Sequence, residues 1–239
     1  MFWSEYPRDV VQVAGPDAQS YLQSQLSNDL RAVEVGESRW AFLLQPTGKI
    51  DVLLRVWRTA DEVFVLDTDA GFGDAMVKRL NRFKIRVKAD ITPLGWRCLA
   101  VRGDRAVRGD RAVRGVSGDG LVAWGDGYDL LGEAPTQPEG VPNGDLLAAR
   151  VDAAWPAMGA EIVPGETIPA ETGITDVAVS FTKGCYPGQE LVERMDSRAV
   201  TAPRLLRRLR LVDHPDREFS SVSGEWGLAY VRRGETFSD

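Results

Sequence analysis

The residues of greatest chemical promise in this chain stand together, as Lys183-Gly184-Cys185-Tyr186-Pro187-Gly188-Gln189-Glu190. A buried strand is expected over Val177 to Phe181, leading into them, and a run of helical character, Gly188 to Met195, follows. Proline suits the first helical position, where its missing N–H removes nothing. Pro187 therefore predicts a helix start, with Leu191, Val192 and Met195 on one face. Cys185 would then sit just ahead of a helix N-terminus and close to Lys183. Unpaired N–H groups and a nearby cation both favour thiolate over thiol, so Cys185 and Lys183 form a candidate reactive pair. The plainer reading is a small buried residue in a tight strand-to-helix turn.

Counting excludes other chemistries. The chain has two cysteines, Cys98 and Cys185, and one histidine, His214, where a structural zinc wants four such ligands. Cys98, inside an apolar strand-like run, reads as core, so no dithiol pair is expected, and one distant histidine supports no Cys–His protease. The net charge of -6, from 29 basic and 35 acidic residues, gives no electrostatic reason for broad nucleic-acid binding, although Arg204, Arg207, Arg208 and Arg210 crowd one stretch. With 44% hydrophobic and 27% charged residues the composition is that of a globular protein. No segment approaches the roughly 20 apolar residues of a membrane span, and the start, Met1 to Tyr6, lacks a leader pattern. A cytoplasmic protein with no membrane partner is expected.

The elements that must position the cysteine segment are readable from periodicity. Val10 to Val13 predicts a strand ended by Gly15-Pro16, and Asp17 a cap for a helix carrying Tyr21, Leu22 and Leu26. Trp40 to Leu44 and Ile50 to Trp57, separated by Gln45-Pro46-Thr47-Gly48-Lys49, predict an antiparallel hairpin. Val63 to Leu66 adds a strand, and Met76, Val77, Leu80 and Phe83 recur at helical spacing. Helices between antiparallel strands give an α+β class. Residues 102–107 read RGDRAV and 108–113 repeat them, which fits a tolerated duplication in an exposed loop or hairpin. A Pro- and Gly-rich loop, 132–143, joins two lobes; Leu146 to Val151 predicts a helix with Asn143 or Asp145 near its start. Leu209 to Val212 and Trp226 to Val231 suggest a small β module. The expected organisation is a domain over 1–200, in lobes of roughly 1–95 and 96–200, then a module over 201–239.

The stretch Ser180 to Glu190 closely resembles the signature of the YgfZ family, folate-binding proteins related to the glycine-cleavage aminomethyltransferase (T-protein) that assist iron–sulfur cluster assembly or repair. Val13 to Ala18, Tyr21 to Asp29, Leu43 to Lys49 and Leu54 to Arg58 resemble that family's opening elements, so the likeness runs from about residue 8 to 200. It implies an aminomethyltransferase-like fold of two β-α-β lobes around a folate pocket, followed by a β-barrel that here is short. It further implies tetrahydrofolate or a derivative as cofactor, cluster-assembly machinery or client enzymes as partners, and a monomer.

The resemblance also carries site residues. Where the T-protein has Arg-x-Glu-Ala-Gly, this chain has Arg150-Val151-Asp152-Ala153-Ala154, so Arg150 and Asp152 become candidates, the acid accepting the paired N–H donors of a pterin. Tyr186 and Trp57 are candidates to flank the ring, and Gln189 stands where the transferase commonly has Arg. The paired acids of the transferase fall on Val52 and Leu53, with Asp51 one place early and so on the other face of a strand. Three functions follow: a folate-dependent cluster accessory protein using Cys185 as a transient cluster ligand or a contact to a redox partner; a one-carbon transferase using Asp51 or Asp152; or a non-catalytic scaffold.

Overall fold

A computed structural model describes residues 1–103, 120–197 and 202–235. The second RGDRAV copy, and all but Arg102 and Gly103 of the first, lie outside the described residues.

The first sheet holds five antiparallel strands, in the order β3-β4-β5-β2-β6: β2 (Arg8–Ala14), β3 (Ser38–Leu44), β4 (Ile50–Ala60), β5 (Val63–Asp69) and β6 (Asp90–Leu94). Its two faces feed two cores. Val11, Val13, Val52, Leu54, Val56, Phe64 and Leu66 pack with α1 (Ala18–Gln25) and α2 (Gly73–Arg82). Val10, Trp40, Phe42, Leu53, Trp57 and Val65 face the other way, toward residues from the second half of the chain. Successive strand residues point to opposite faces, so β4, covered on both, reads as an unbroken apolar run instead of alternating.

The second sheet has the order β1-β7-β9-β8, from β1 (Phe2–Glu5), β7 (Arg97–Arg102), β8 (Gly120–Val122) and β9 (Gly127–Gly132). The N-terminal strand thus pairs with β7 rather than with the sheet that follows it in sequence. Helix α3 (Leu146–Asp152) packs on a third sheet, β10 (Arg204–Arg210), β11 (Ser221–Ser223) and β12 (Trp226–Arg232), ordered β10-β12-β11. No helix among the described residues is long and apolar enough to cross a membrane.

Between the first two sheets runs a buried chain of charges. Arg8 Nε meets Asp67 Oδ2 at 2.7 Å, Arg55 Nε meets Asp67 Oδ1 at 2.9 Å, and Asp129 bridges Arg55 Nη1 and Arg102 Nη1, each at 2.7 Å. Burial alone would raise the Asp67 carboxyl, but Arg55 and Arg8 outweigh it and hold it below the usual range. Trp40 lies against this chain, with the Arg55 guanidinium 5.1 Å from its ring centroid.

Three local expectations are corrected. Asp17 does not cap α1 through its side chain; its carboxylate accepts the Lys88 N–H at 2.8 Å and ties that loop down. Phe83 lies just past the end of α2. Val177 to Phe181 is not a buried strand: Thr175–Ala178 forms a short helix, α4, and Val177 and Phe181 are exposed. Its carbonyls accept from distant side chains instead of in a ladder, Ala178 O from Ser27 Oγ at 2.6 Å and Val177 O from Asn28 Nδ2 at 2.8 Å.

Candidate functional site

The cysteine segment is a loop locked to the hairpin of the first sheet. Helix α5 (Gln189–Ser197) begins two residues later than Pro187 predicts, because Gly188 has φ +83° and cannot be helical. A Cβ on Gly188 would lie 2.5 Å from Gln45 O and 2.9 Å from Gly48 Cα, so the loop backbone rests directly on the β3–β4 turn. Gln189 closes the loop on itself: its Oε1 accepts the Tyr186 N–H at 3.3 Å, and its amide donates to Glu193. Tyr186 points inward, 7% exposed in the main core beside Val192, and burial pushes its phenol up to about 12. Cys185 is exposed.

Lys183 corrects its expected role. Its side chain turns inward, and Nζ donates to the carbonyls of Gln23 (2.6 Å), Leu26 (2.5 Å) and Asn28 (3.1 Å), where α1 ends. An ammonium has three donors, so none remains for Cys185. It is a cation at the C-terminal end of a helix, where the unpaired carbonyls favour positive charge. Burial lowers it to about 8. Lys183→Met is expected to destabilise the protein by about 3 kcal/mol, since a buried charge-assisted contact is lost and three carbonyls go unmet. A thermal melt checks this; an unchanged melting temperature would remove Lys183 from its structural role.

The transferase-type acids have no counterpart. Val52 and Leu53 are buried in opposite cores. Asp51 is the extra residue of a bulge, since Leu43 pairs with Val52 and Leu44 with Ile50. Its carboxylate accepts from Gln45 Nε2 (2.8 Å) and Arg79 Nε (3.2 Å), while Arg79 Nη2 caps Leu44 O at 2.7 Å. Asp51 braces the hairpin turn.

The remaining candidates separate. Trp57 packs in the main core, 6.3 Å between centroids from Trp96, and does not join the cysteine loop. Arg150 is structural: it donates to Glu161 Oε2 (2.7 Å), Trp155 O (3.0 Å) and Ser221 Oγ (2.5 Å). Burial would raise Glu161, but Arg150, Ser221 and Ser220 keep its carboxyl below the usual range, so this knot fastens the third sheet to α3. Asp152 is exposed and pairs with Arg208 Nη2 at 2.5 Å, yet it borders a cavity of about 550 Å³ between α3 and the second sheet. Phe2, Arg102, Trp124, Ala148 and Ala149 also line it.

Against this geometry the similarities can be placed. The GCVT N-terminal domain model matches residues 9–110. The human mitochondrial iron–sulfur cluster assembly factor IBA57 is 29% identical over 230 residues, covering 83% of this chain and 63% of that protein. The tRNA-modifying protein YgfZ of Vibrio vulnificus is 24% identical over 216 residues, covering 83% and 66%. This chain therefore spans less than two thirds of the length of both relatives. The glycine cleavage system aminomethyltransferase T of Bartonella henselae shares the fold, with a TM-score of 0.69 over 96% of this chain and 78% of that one at 18% identity. Together these matches support a YgfZ/IBA57-type family. The aminomethyltransferase-like α+β fold expected from the signature is thereby found.

Sequence reasoning missed Arg102 and Trp124 as pocket residues. Arg102 opens the RGDRAV repeat and reads there as part of an exposed polar duplication; in the fold it ends β7 and is 2% exposed. The period of two was the available signal, because Cys98, Ala100 and Arg102 alternate, and Cys98 and Ala100 are core residues.

Proposed function

We propose that this chain is a tetrahydrofolate-binding accessory protein for the assembly or repair of iron–sulfur clusters, acting in the cytoplasm, with Cys185 as its functional thiol. The observation that carries the proposal is the exposed Cys185 on a loop fixed to the β3–β4 turn, beside a hairpin whose transferase acid positions hold Val52 and Leu53. The human relative's name, an iron–sulfur cluster assembly factor, supports the same reading.

The cluster is cargo. Thiolates ligate such clusters, and a stable one usually takes four. Among the described residues no group of three or more His, Cys, Asp or Glu side chains could hold a metal ion, and Cys98 is buried, where desolvation raises its thiol. Cys185 would therefore touch a cluster whose other ligands belong to a partner protein. The residues that would hold folate are those of the α3 cavity, with Asp152 as acceptor for ring N–H donors and Phe2, Ala148 and Ala149 as apolar wall. A volume of about 550 Å³ lies within the usual range for small-molecule sites. Tetrahydrofolate, when bound, supplies a reduced ring able to carry a one-carbon unit.

Complementation of a cluster-enzyme defect tests the thiol. Cys185→Ala and Cys185→Ser should fold as the wild type does, within about 1 kcal/mol, because the side chain is exposed. Both should fail to restore the cluster enzyme. Equal rescue by wild type and Cys185→Ala would remove the thiol from the function. A one-carbon transferase is disfavoured, since Asp51 is held by Arg79 and Gln45.

A further inference from the structure

From the second half of α2 to the loop before β6 the chain reads Lys78-Arg79-Leu80-Asn81-Arg82-Phe83-Lys84-Ile85-Arg86-Val87-Lys88, with six cations and no acid in eleven residues. Three features set it apart from an ordinary solvated run. The first is charge without counter-charge. Arg79 turns inward to Asp51 and Leu44 O. Lys78, Arg82, Arg86 and Lys88 are exposed and Lys84 is half-buried, and among the described residues none of these five has a carboxylate partner. The whole chain is -6 and this stretch is +6, so everything else carries -12. The second feature is Ile85, 76% exposed between Lys84 and Arg86. The third is the backbone of Arg86, at φ +57°. That conformation costs an L-residue roughly 1–2 kcal/mol, and glycine would adopt it freely. Strain of this kind gathers where a chain must present something, and here a cation is kept at the strained position beside the exposed aliphatic.

The stretch lies along α1 and reaches toward the cysteine loop. The Asp17 carboxylate, at the start of α1, accepts the Lys88 N–H, and Tyr21 Oη donates to Leu80 O. At the other end of the same helix, Leu26 O accepts from Lys183 Nζ. Eight residues of helix span about 12 Å. Arg79 also braces the β3–β4 turn on which Gly188 rests. A standard protein interface covers about 800 Å² per partner, a patch roughly 30 Å across, which is wide enough to take in both ends of α1.

The chemistry of the stretch selects the class of partner. RNA recognition relies on exposed rings that stack on bases. The one ring here, Phe83, is half-buried, with the Arg79 guanidinium 4.0 Å from its centroid. An anionic membrane is an extended plane that meets the surplus acids of the rest of the chain too, with a single aliphatic side chain to hold it. An acidic protein face of ordinary size meets the patch alone. It is repelled elsewhere and admitted here, which fixes its orientation. Ile85 ringed by cations then forms an apolar centre within a charged rim, as in protein interfaces.

We propose that Lys78, Arg82, Lys84, Ile85, Arg86 and Lys88 form the docking surface for an acidic partner protein, which is thereby held beside Cys185. The proposal rests on the reading of Cys185 above only for the cargo, the cluster that such a partner presents to the thiol.

Photo-crosslinking in cells that carry the cluster-enzyme defect tests it. A benzophenone amino acid takes the place of Ile85 in one full-length chain, and in another that of Phe181, exposed four residues before Cys185. Both sites should capture the same protein, identified by mass spectrometry and acidic in sequence. The double variant Lys84→Glu/Arg86→Glu should cut capture at both sites about tenfold, in protein that melts and whose Cys185 is alkylated as in the wild type. Lys84→Arg/Arg86→Lys, which keeps the charges, should leave capture unchanged. Capture of RNA, lipid or a basic protein at position 85 overturns the proposal. So do different proteins at the two sites, capture that survives the charge reversal, or no capture at all. Complementation separates this proposal from the thiol reading. If the charge-reversed chain rescues the cluster enzyme and Cys185→Ala does not, the docking surface falls and the thiol role stands. If Cys185→Ala rescues as well as wild type while charge-dependent capture of the acidic protein persists, the docking surface stands and the thiol role falls.

Discussion

Asp129→Ala is expected to lower stability by about 4 kcal/mol, the cost of leaving buried charge without its partner. Asp129 is fully buried and accepts from Arg55 and Arg102, each at 2.7 Å. Arg55 comes from β4 in the first sheet, whereas Arg102 and Asp129 come from β7 and β9 in the second. Asp129 is therefore where the charge chain crosses between sheets. Its removal leaves Arg55 with Asp67, and Arg102 with two backbone carbonyls but no carboxylate. Neither guanidinium can escape by losing its proton.

The same change should lower the melting temperature by roughly 8–16 °C, at about 2–4 °C per kcal/mol for a chain of this size. Asp129→Asn keeps an acceptor and the volume, so it should lose less than the alanine variant. A scanning calorimetry series of the three proteins decides the matter. A drop below about 3 °C for Asp129→Ala would mean that water or relaxation compensates the two arginines, and the charge chain would not be what couples the sheets.

What the sequence disclosed follows from which interactions are local. The hairpin Trp40–Leu44 and Ile50–Trp57 was legible because its strands, turn residues and apolar faces lie within twenty residues of each other. The caps and turns closed by distant partners were not. Lys183 looks like the neighbour of Cys185 in sequence, yet its three acceptors lie 155–160 residues away. Val177 to Phe181 carries the composition of a strand, but Ser27 and Asn28 take its carbonyls and turn it into a helical turn. Arg102 hid inside a repeat whose polar look outweighed the alternation of β7. The motif itself was visible, while the direction of each of its side chains was a tertiary matter.

The two glycines of the cysteine segment look equivalent in sequence and should behave in opposite ways. Gly188→Ala is expected to cost about 3–5 kcal/mol, lowering the melting temperature by roughly 6–20 °C. At φ +83° an alanine is strained before any contact is made. Its Cβ would then stand 2.5 Å from Gln45 O, 2.9 Å from Gly48 Cα and 3.1 Å from Gly48 N. All three are backbone atoms of the β3–β4 turn, so no rotamer change can relieve them. Gly48 is equally confined, because a Cβ there would meet Leu191 Cβ at 2.5 Å, and the turn cannot back away without disturbing α5. The loop must therefore lift off the hairpin, and Cys185 must move with it. Gly184→Ala meets nothing within 4 Å and should change stability by less than about 0.5 kcal/mol. Melting curves of the two variants, with the rate of Cys185 alkylation as a monitor of loop position, test this together. Gly188→Ala should alter the alkylation rate and Gly184→Ala should leave it near the wild-type value. If both variants melt and react alike, the hairpin contact does not hold the cysteine in place, and the fixed presentation of Cys185 loses its basis.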